Sequence, residues 1–110
     1  MYKVAYATQL LGVELYDGQN SLLGAVQEAI LEPESGKVGF YIVKPANGDG
    51  LVMVHLRAIN IPKEALLPGA TLTLVLTSDP QVFWDAPRIT SIEEADDFAL
   101  QSEMRQYWDR

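Results

Sequence analysis

Apolar and polar residues alternate along residues 13–77 in short runs, with turn residues between the runs about every ten positions. Five of these runs have the length and composition of strands: 13–16, 22–32, 37–44, 51–56 and 71–77. Such spacing is typical of a meander, a sandwich or a small barrel, and it fits an α/β fold poorly. The pattern therefore predicts a mainly β fold within a single domain.

Turn residues and strand faces predict how the runs are connected. Asp, Gly and Asn within residues 17–21 supply the first turn, and residues 33–36 form a tight turn that predicts a hairpin. Gly24 interrupts the second run and predicts a bulge or a bend. Run 37–44 is apolar on both faces, which predicts cover on both sides. Run 51–56 is too apolar for an exposed edge, so we expect it to be central.

Two connections carry their own predictions. Residues 62–67 predict one helical turn that begins at its proline, because proline suits the first helical position. Residues 80–87 lie between two prolines and predict a non-repetitive crossing through Val82, Phe83 and Trp84. We expect the rings of this crossing to cover one end of the sheet.

The C-terminal segment changes character and predicts a helix over residues 92–108. Ser91 and Glu94 give a capping-box signal at its start, and an acidic first turn suits the positive end of the helix dipole. The apolar residues form two sides of this helix rather than one stripe. The first side carries Ile92, Ala95 and Ala99, and the second carries Leu100, Met104, Tyr107 and Trp108.

The second side of the helix is the candidate partner-binding surface. Aromatic residues and methionine are enriched in the cores of protein interfaces. An amphipathic helix also needs such a side to cover its own barrel. The sequence leaves both alternatives open for Leu100, Met104, Tyr107 and Trp108: they contact this chain's own barrel, or they contact another copy or a different protein.

Composition and charge limit the classes of function. The chain has 110 residues, of which 48% are hydrophobic, and no run approaches the ~20 apolar residues of a membrane-spanning helix. Residues 1–6 show no secretory signal, so we expect a cytoplasmic protein. Cysteine is absent, which excludes disulfides and thiolate chemistry. The formal net charge of -7 disfavours direct binding of nucleic acid and favours a basic protein partner.

Candidate chemistry is sparse in the sequence. His55 is the only histidine, and we interpret it as a strand-end residue whose ring satisfies a neighbouring backbone group. The acidic residues Glu93, Glu94, Asp96 and Asp97 are interpreted as an ordinary helix start rather than a cation site or an acid/base pair. The sequence contains no motif of a nucleotide-binding or calcium-binding loop. We therefore expect no enzyme activity, metal, cofactor or small-molecule ligand.

Three segments of the chain resemble the PRC-barrel family in order and spacing. They read LLGVELYDG at residues 10–18, LGAV at 23–26 and LEPESGKV at 31–38. In that family a Leu-Gly opens the first strand, an Asp-Gly-like turn leads to a Gly-x-Val strand, and a Pro-x-x-Gly-Lys-Val turn joins strands two and three. Residues 52–56 resemble the fourth family strand and Ala86-Pro87 a closing Ala-Pro, so the resemblance covers residues 10–87.

The resemblance implies a small PRC-type β-barrel of about five to six strands with a C-terminal α-helix. We expect a barrel domain over residues 1–90 and a helical extension over 91–110, packed on the barrel or on a partner. A stand-alone member of this family is implied to bind and assemble proteins without a shared catalytic residue.

Two alternatives remain at this point. Family members include the cytoplasmic domain of the photosynthetic reaction-centre H subunit and the C-terminal domain of a ribosome maturation factor. The resemblance therefore allows an accessory role in ribosome maturation or in a photosynthetic or membrane complex. The catalytic alternative is a small metal-dependent enzyme that uses His55 and carboxylates.

Overall fold

Six strands form one curled sheet in the computed structural model, which describes residues 11–32 and 35–109. The strands are β1 (Glu14–Tyr16), β2 (Leu22–Leu31), β3 (Val38–Pro45), β4 (Val52–His55), β5 (Ile59–Asn60) and β6 (Leu74–Leu76). Their order is β4-β3-β2-β1-β6-β5, and β1 with β6 is the parallel pair. Two α-helices follow, α1 (Pro80–Asp85) and α2 (Phe98–Trp108). The predicted mainly β fold with a C-terminal helix is confirmed.

Gly24 allows β2 to pack closely against β3. A β-carbon at this position would lie 2.2 Å from the Lys44 backbone oxygen and 2.8 Å from Val43 Cγ1. Any other residue would therefore force the two strands apart. The register also shifts beside the glycine, because Leu15 pairs with Gly24 and the next β1 residue pairs with Leu22. The predicted irregularity is confirmed as a bulge that adjoins Gly24.

The predicted hairpin between β2 and β3 is confirmed. The Glu32 backbone N–H donates to the Lys37 carbonyl at 2.7 Å, and the Gly36 N–H donates to the Glu32 carbonyl at 2.9 Å. Gly36 has a φ of 69°, a value that glycine adopts without steric cost. Residues 33–34 of the predicted turn lie outside the described residues. Residues 1–10, for which we predicted no secretory signal, also lie outside them.

The sheet is covered on both faces at β3 and β4. Residues that pair across antiparallel strands share a face. By register, one face carries Phe40, Ile42, Met53 and His55, and the opposite face carries Tyr41, Val43, Val52 and Val54. Seven of these eight side chains are buried, with His55 half-buried. Cover on both faces was predicted for β3, and it is confirmed.

Strand β4 lies at the edge of the sheet, so the prediction of a central strand at residues 51–56 is wrong. Its one neighbour in the described sheet is β3. The strand is apolar because α2 packs on it and because Leu51 and Ile89 exchange two backbone hydrogen bonds of 2.9 Å. A helix and a returning segment therefore supply the burial that we had assigned to a second neighbouring strand.

Residues 80–87 do not form a non-repetitive crossing; they contain helix α1. The Asp79 side chain accepts a hydrogen bond from the Gln81 N–H at 2.8 Å, and Pro80 occupies the first turn. An aspartate cap followed by proline is a strong helix start. Phe83 is fully buried, and Trp84 packs edge-on against its ring at 5.1 Å between centroids.

The predicted single helix over residues 92–108 is broken at Asp97. A 3-10 helix, Ile92–Asp96, precedes α2, and the Asp97 carboxylate caps α2 by accepting from the Ala99 N–H at 2.9 Å. Because of this break, the residues predicted to form the first apolar side of one helix do not form a continuous buried side. Of these residues only Ala95 is buried, whereas Ile92 and Ala99 are exposed.

The connections between β4 and α1 are short. Residues Leu56–Ala58 and Lys63–Leu66 form 3-10 helices, and the second confirms the predicted helical turn after Pro62. The predicted strand over residues 71–77 is shorter than expected, since pairing is confined to Leu74–Leu76. No helix within the described ranges is long and apolar enough to cross a membrane.

Candidate functional site

The candidate partner-binding side of α2 packs mainly on this chain's own sheet. Met104 and Trp108 are buried, and Leu100 and Tyr107 are half-buried. The Trp108 indole N–H donates to the Met53 carbonyl at 2.6 Å, and the Tyr107 hydroxyl donates to the Val82 carbonyl at 2.6 Å. Met104 and Trp108 therefore contact this chain's own barrel, which was one of the two alternatives. A contact between this side of α2 and a partner stays a prediction.

A cleft of about 400 Å³ lies beside the C-terminal half of α2. We call it the His55 cleft. Its walls include Glu32 directly after β2, the segment from His55 at the end of β4 to Arg57, and Arg105 and Gln106 of α2. Trp108 and Asp109 complete the lining. Three segments far apart in the sequence meet here.

His55 caps the 3-10 helix that follows β4. Its Nδ1 accepts a hydrogen bond from the Arg57 N–H at 3.3 Å, and its ring packs edge-on against Phe40 at 5.1 Å. The interpretation of His55 as a strand-end residue that satisfies a backbone group is confirmed. Because Nδ1 is the acceptor, the neutral ring carries its proton on Nε2 and acts as a donor there.

Burial lowers the pKa of His55 below its ordinary value of 6.5, and the positive charges of Arg57 and Arg105 lower it further. The carboxylates of Glu32 and Asp109 act in the opposite direction, toward a higher pKa of His55. The cleft thus combines a neutral imidazole with two guanidinium and two carboxylate groups. A charged ligand or a peptide segment finds partners of both signs on its walls.

The two arginines of the cleft differ from Arg88. Arg88 uses its guanidinium internally, donating to the carbonyls of Phe83, Trp84 and Ala86 at 3.1–3.2 Å. Arg57 is exposed, and the Arg105 guanidinium lies 5.8 Å from the centroid of the Phe40 ring, which leaves its outer side toward the cleft. Two arginines therefore line one cleft in a chain with a net charge of -7.

Two of the four acidic residues at the start of the C-terminal segment, Glu94 and Asp97, serve as helix caps. The Glu94 carboxylate accepts hydrogen bonds from the Ser91 and Thr90 N–H groups, which lower the pKa of Glu94 below its ordinary value. Asp97 caps α2 in the same way. Within residues 11–32 and 35–109 no group of three His, Asp or Glu side chains has metal-binding geometry.

Sequence reasoning did not identify the His55 cleft. Its residues carry no common motif, and Glu32 and Gln106 are ordinary surface residues for their elements. The pairing of β2 with β3 and of β3 with β4, together with the packing of α2 on β4, brings the cleft residues together. The structure places Leu56, which we had predicted to lie within the strand 51–56, after β4, where it is 41% exposed.

Comparison with known proteins gives the family. The model of the PRC-barrel domain matches residues 3–73, which is more than half of the chain. The match covers β1 to β5 and the segment that leads to β6, and it ends before Ala86-Pro87. No curated protein matches the chain. The domain boundary expected after residue 90 stays a prediction. The six-stranded curled sheet and the family model agree, and the chain belongs to the PRC-barrel domain family.

Proposed function

We propose that this chain is a non-catalytic module that binds another protein through the His55 cleft. The observation that carries the proposal is the composition of the cleft: an exposed leucine, Leu56, lies between His55 and the exposed Arg57, opposite Arg105 of α2. Arginine is enriched at protein interfaces, and the fully buried part of an interface is more apolar than the rest of the protein surface. The arginines suit acidic side chains of a partner, since guanidinium binds carboxylate in a bidentate manner.

The chemistry of His55 supports a binding role over a catalytic one. A general base or a metal ligand needs an unprotonated nitrogen directed at its target. The unprotonated nitrogen of His55 is Nδ1, and it is occupied by the Arg57 N–H. The nitrogen that remains, Nε2, donates a hydrogen bond and suits recognition of an acceptor. We therefore propose no enzyme activity for the chain.

A pair of matched double variants tests the binding role. Leu56→Asp with Arg57→Glu alters the cleft, and Lys63→Glu with Leu67→Asp alters a surface outside it. Leu56 and Leu67 are similarly exposed, at 41% and 46%, and both double variants change the charge by the same amount. Each variant and the unmodified chain are used to capture proteins from lysate of the source cells, at low and moderate salt.

We expect proteins that bind the unmodified chain and the control variant to be lost from the cleft variant. Identical sets on all three chains would contradict the proposal. The identity of the captured proteins also tests the accessory roles in ribosome maturation or a photosynthetic or membrane complex, which rest on the family alone. A divalent metal that binds the chain and is lost with His55→Ala would instead support the catalytic alternative.

A further inference from the structure

The aromatic side chain of Phe98 is exposed to solvent. This residue begins α2 and is 70% exposed, more than any other large hydrophobic residue within the described ranges. Asp97 caps the helix, and Ala95 supplies the buried contact of the preceding 3-10 helix. Neither the cap nor the buried contact therefore involves the Phe98 ring. Aromatic residues, phenylalanine among them, are enriched in the cores of protein interfaces.

Phe98 and the His55 cleft lie on the same flank of α2. Residues spaced by three or four positions share a helix face, and Phe98, Ser102, Arg105 and Asp109 follow that spacing. Arg105 and Asp109 line the cleft. The 11-residue helix is about 16 Å long, so Phe98 at one end does not reach the cleft of its own chain at the other.

Antiparallel packing of two α2 helices places each Phe98 at the cleft of the other copy. With Ser102 near the two-fold axis, Phe98 of one copy is level with Gln106 of the second, and Gln106 lines the cleft. The residues around this axis are small or polar and exposed, which permits a close approach of the helices. A two-fold axis forms both contacts at once and closes the assembly at two copies.

The charges of the two helix ends also favour this direction. Residues 91–98 carry four carboxylates and no cation, whereas the cleft carries Arg57 and Arg105 beside Glu32 and Asp109. Antiparallel packing brings the acidic start of one α2 toward the arginines of the other, and it opposes the two helix dipoles. A guanidinium beside the Phe98 ring adds a cation–π contact.

We propose that two copies of this chain form a two-fold dimer through antiparallel α2 helices, with Phe98 of each copy bound in the His55 cleft of the other. This inference rests on the proposed function, because it names the occupant of the same cleft. The polar character of the outer face of α2 makes the dimer weak and sensitive to salt.

Sedimentation equilibrium over a range of protein concentration tests the dimer. We expect the unmodified chain to pass from monomer to dimer as its concentration rises. Phe98→Asp should weaken the dimer about tenfold or more, and Leu56→Asp should do the same from the other side of the contact. The control Leu67→Asp should associate like the unmodified chain. Circular dichroism checks that each variant is folded, which we expect because all three residues are exposed.

Mixing adds a test of the geometry. Phe98→Asp retains an intact cleft and Leu56→Asp retains Phe98, so an equal mixture restores one of the two contacts and should associate more strongly than either variant alone. A monomer at every concentration, or variants that dimerise as well as the unmodified chain, would overturn the inference. If the cleft variant still loses proteins from lysate in that case, the proposed function stands and only the self-association falls.

Discussion

Replacing Trp108 tests whether the C-terminal segment of α2 belongs to the fold of this chain. The side chain is only 6% exposed, it donates from its indole N–H to the Met53 carbonyl, and it meets the Tyr107 ring edge-on at 5.4 Å. Truncation of a buried aromatic residue to alanine costs about 3–5 kcal/mol of unfolding free energy. A domain of this size has about 5–15 kcal/mol in total, so Trp108→Ala should remove a large share of it.

Trp108→Phe separates the hydrogen bond from the packing. Phenylalanine retains a buried ring but lacks the donor, so the Met53 carbonyl of edge strand β4 loses this partner, at a cost of about 1–3 kcal/mol. Urea unfolding followed by circular dichroism and by the fluorescence of Trp84 measures both variants. Glu103→Ala is the control on the same helix and should change stability by no more than about 0.5 kcal/mol, since its side chain is exposed and lies outside the proposed dimer contact.

The dependence on protein concentration decides between own packing and packing on a partner. If Trp108 stabilises its own chain, the loss caused by Trp108→Phe should be equal at concentrations that differ about a hundredfold. A loss of less than about 1 kcal/mol for Trp108→Ala, or a loss that grows with concentration, would refute the reasoning. A loss that grows with concentration would place Trp108 in a contact between chains.

Two further predictions address His55 and Gly24. The pKa of His55 is lower in the folded chain than in the unfolded chain, so the unfolded chain binds a proton more readily. The contribution of His55 to the free energy of unfolding should therefore be fully present above pH 6.5 and be lost as the pH falls through the folded pKa. As His55 is the only histidine, His55→Asn, which can still cap the 3-10 helix, should flatten urea unfolding free energies between about pH 5 and 7, and an unchanged slope would contradict this assignment. Gly24→Ala should cost about 1–3 kcal/mol or more, because its β-carbon would lie 2.2 Å from the Lys44 oxygen, whereas the control Gly18→Ala has nothing within 4 Å and should change stability by no more than about 1 kcal/mol. Equal thermal midpoints for the two glycine variants would show that β2 and β3 separate without cost.

Local chemistry made several parts of the fold predictable from the sequence. The β2–β3 hairpin follows from turn residues at adjacent positions, and the capping box at Ser91 and Glu94 forms as its spacing indicates. The function of His55 as a backbone acceptor also depends only on its place at the end of β4. Helix α1 was equally local, because Asp79-Pro80 is a helix start, and the bracketing prolines led us to the wrong interpretation.

Long-range packing decided the features that the sequence did not predict. An apolar run such as Val52 to Val54 is compatible with two strand neighbours or with one strand and one helix, and the pattern of residues is the same in both. The break at Asp97 is similar, since aspartate occurs both within helices and at their caps. The His55 cleft depends on both of these outcomes, because it forms where the broken C-terminal segment crosses the edge of the sheet.

The edge of β4 determines what kind of partner the cleft can bind. Exposed edge strands recruit other chains through their backbone groups. In this chain the Leu51–Ile89 pairing occupies the start of that edge, and the Trp108 indole occupies the Met53 carbonyl two residues further along. Strand addition at β4 is therefore blocked, and β5 at the opposite edge has only two residues. Recognition at this edge must depend on side chains, and Leu56, Arg57 and Arg105 are the side chains that the cleft offers.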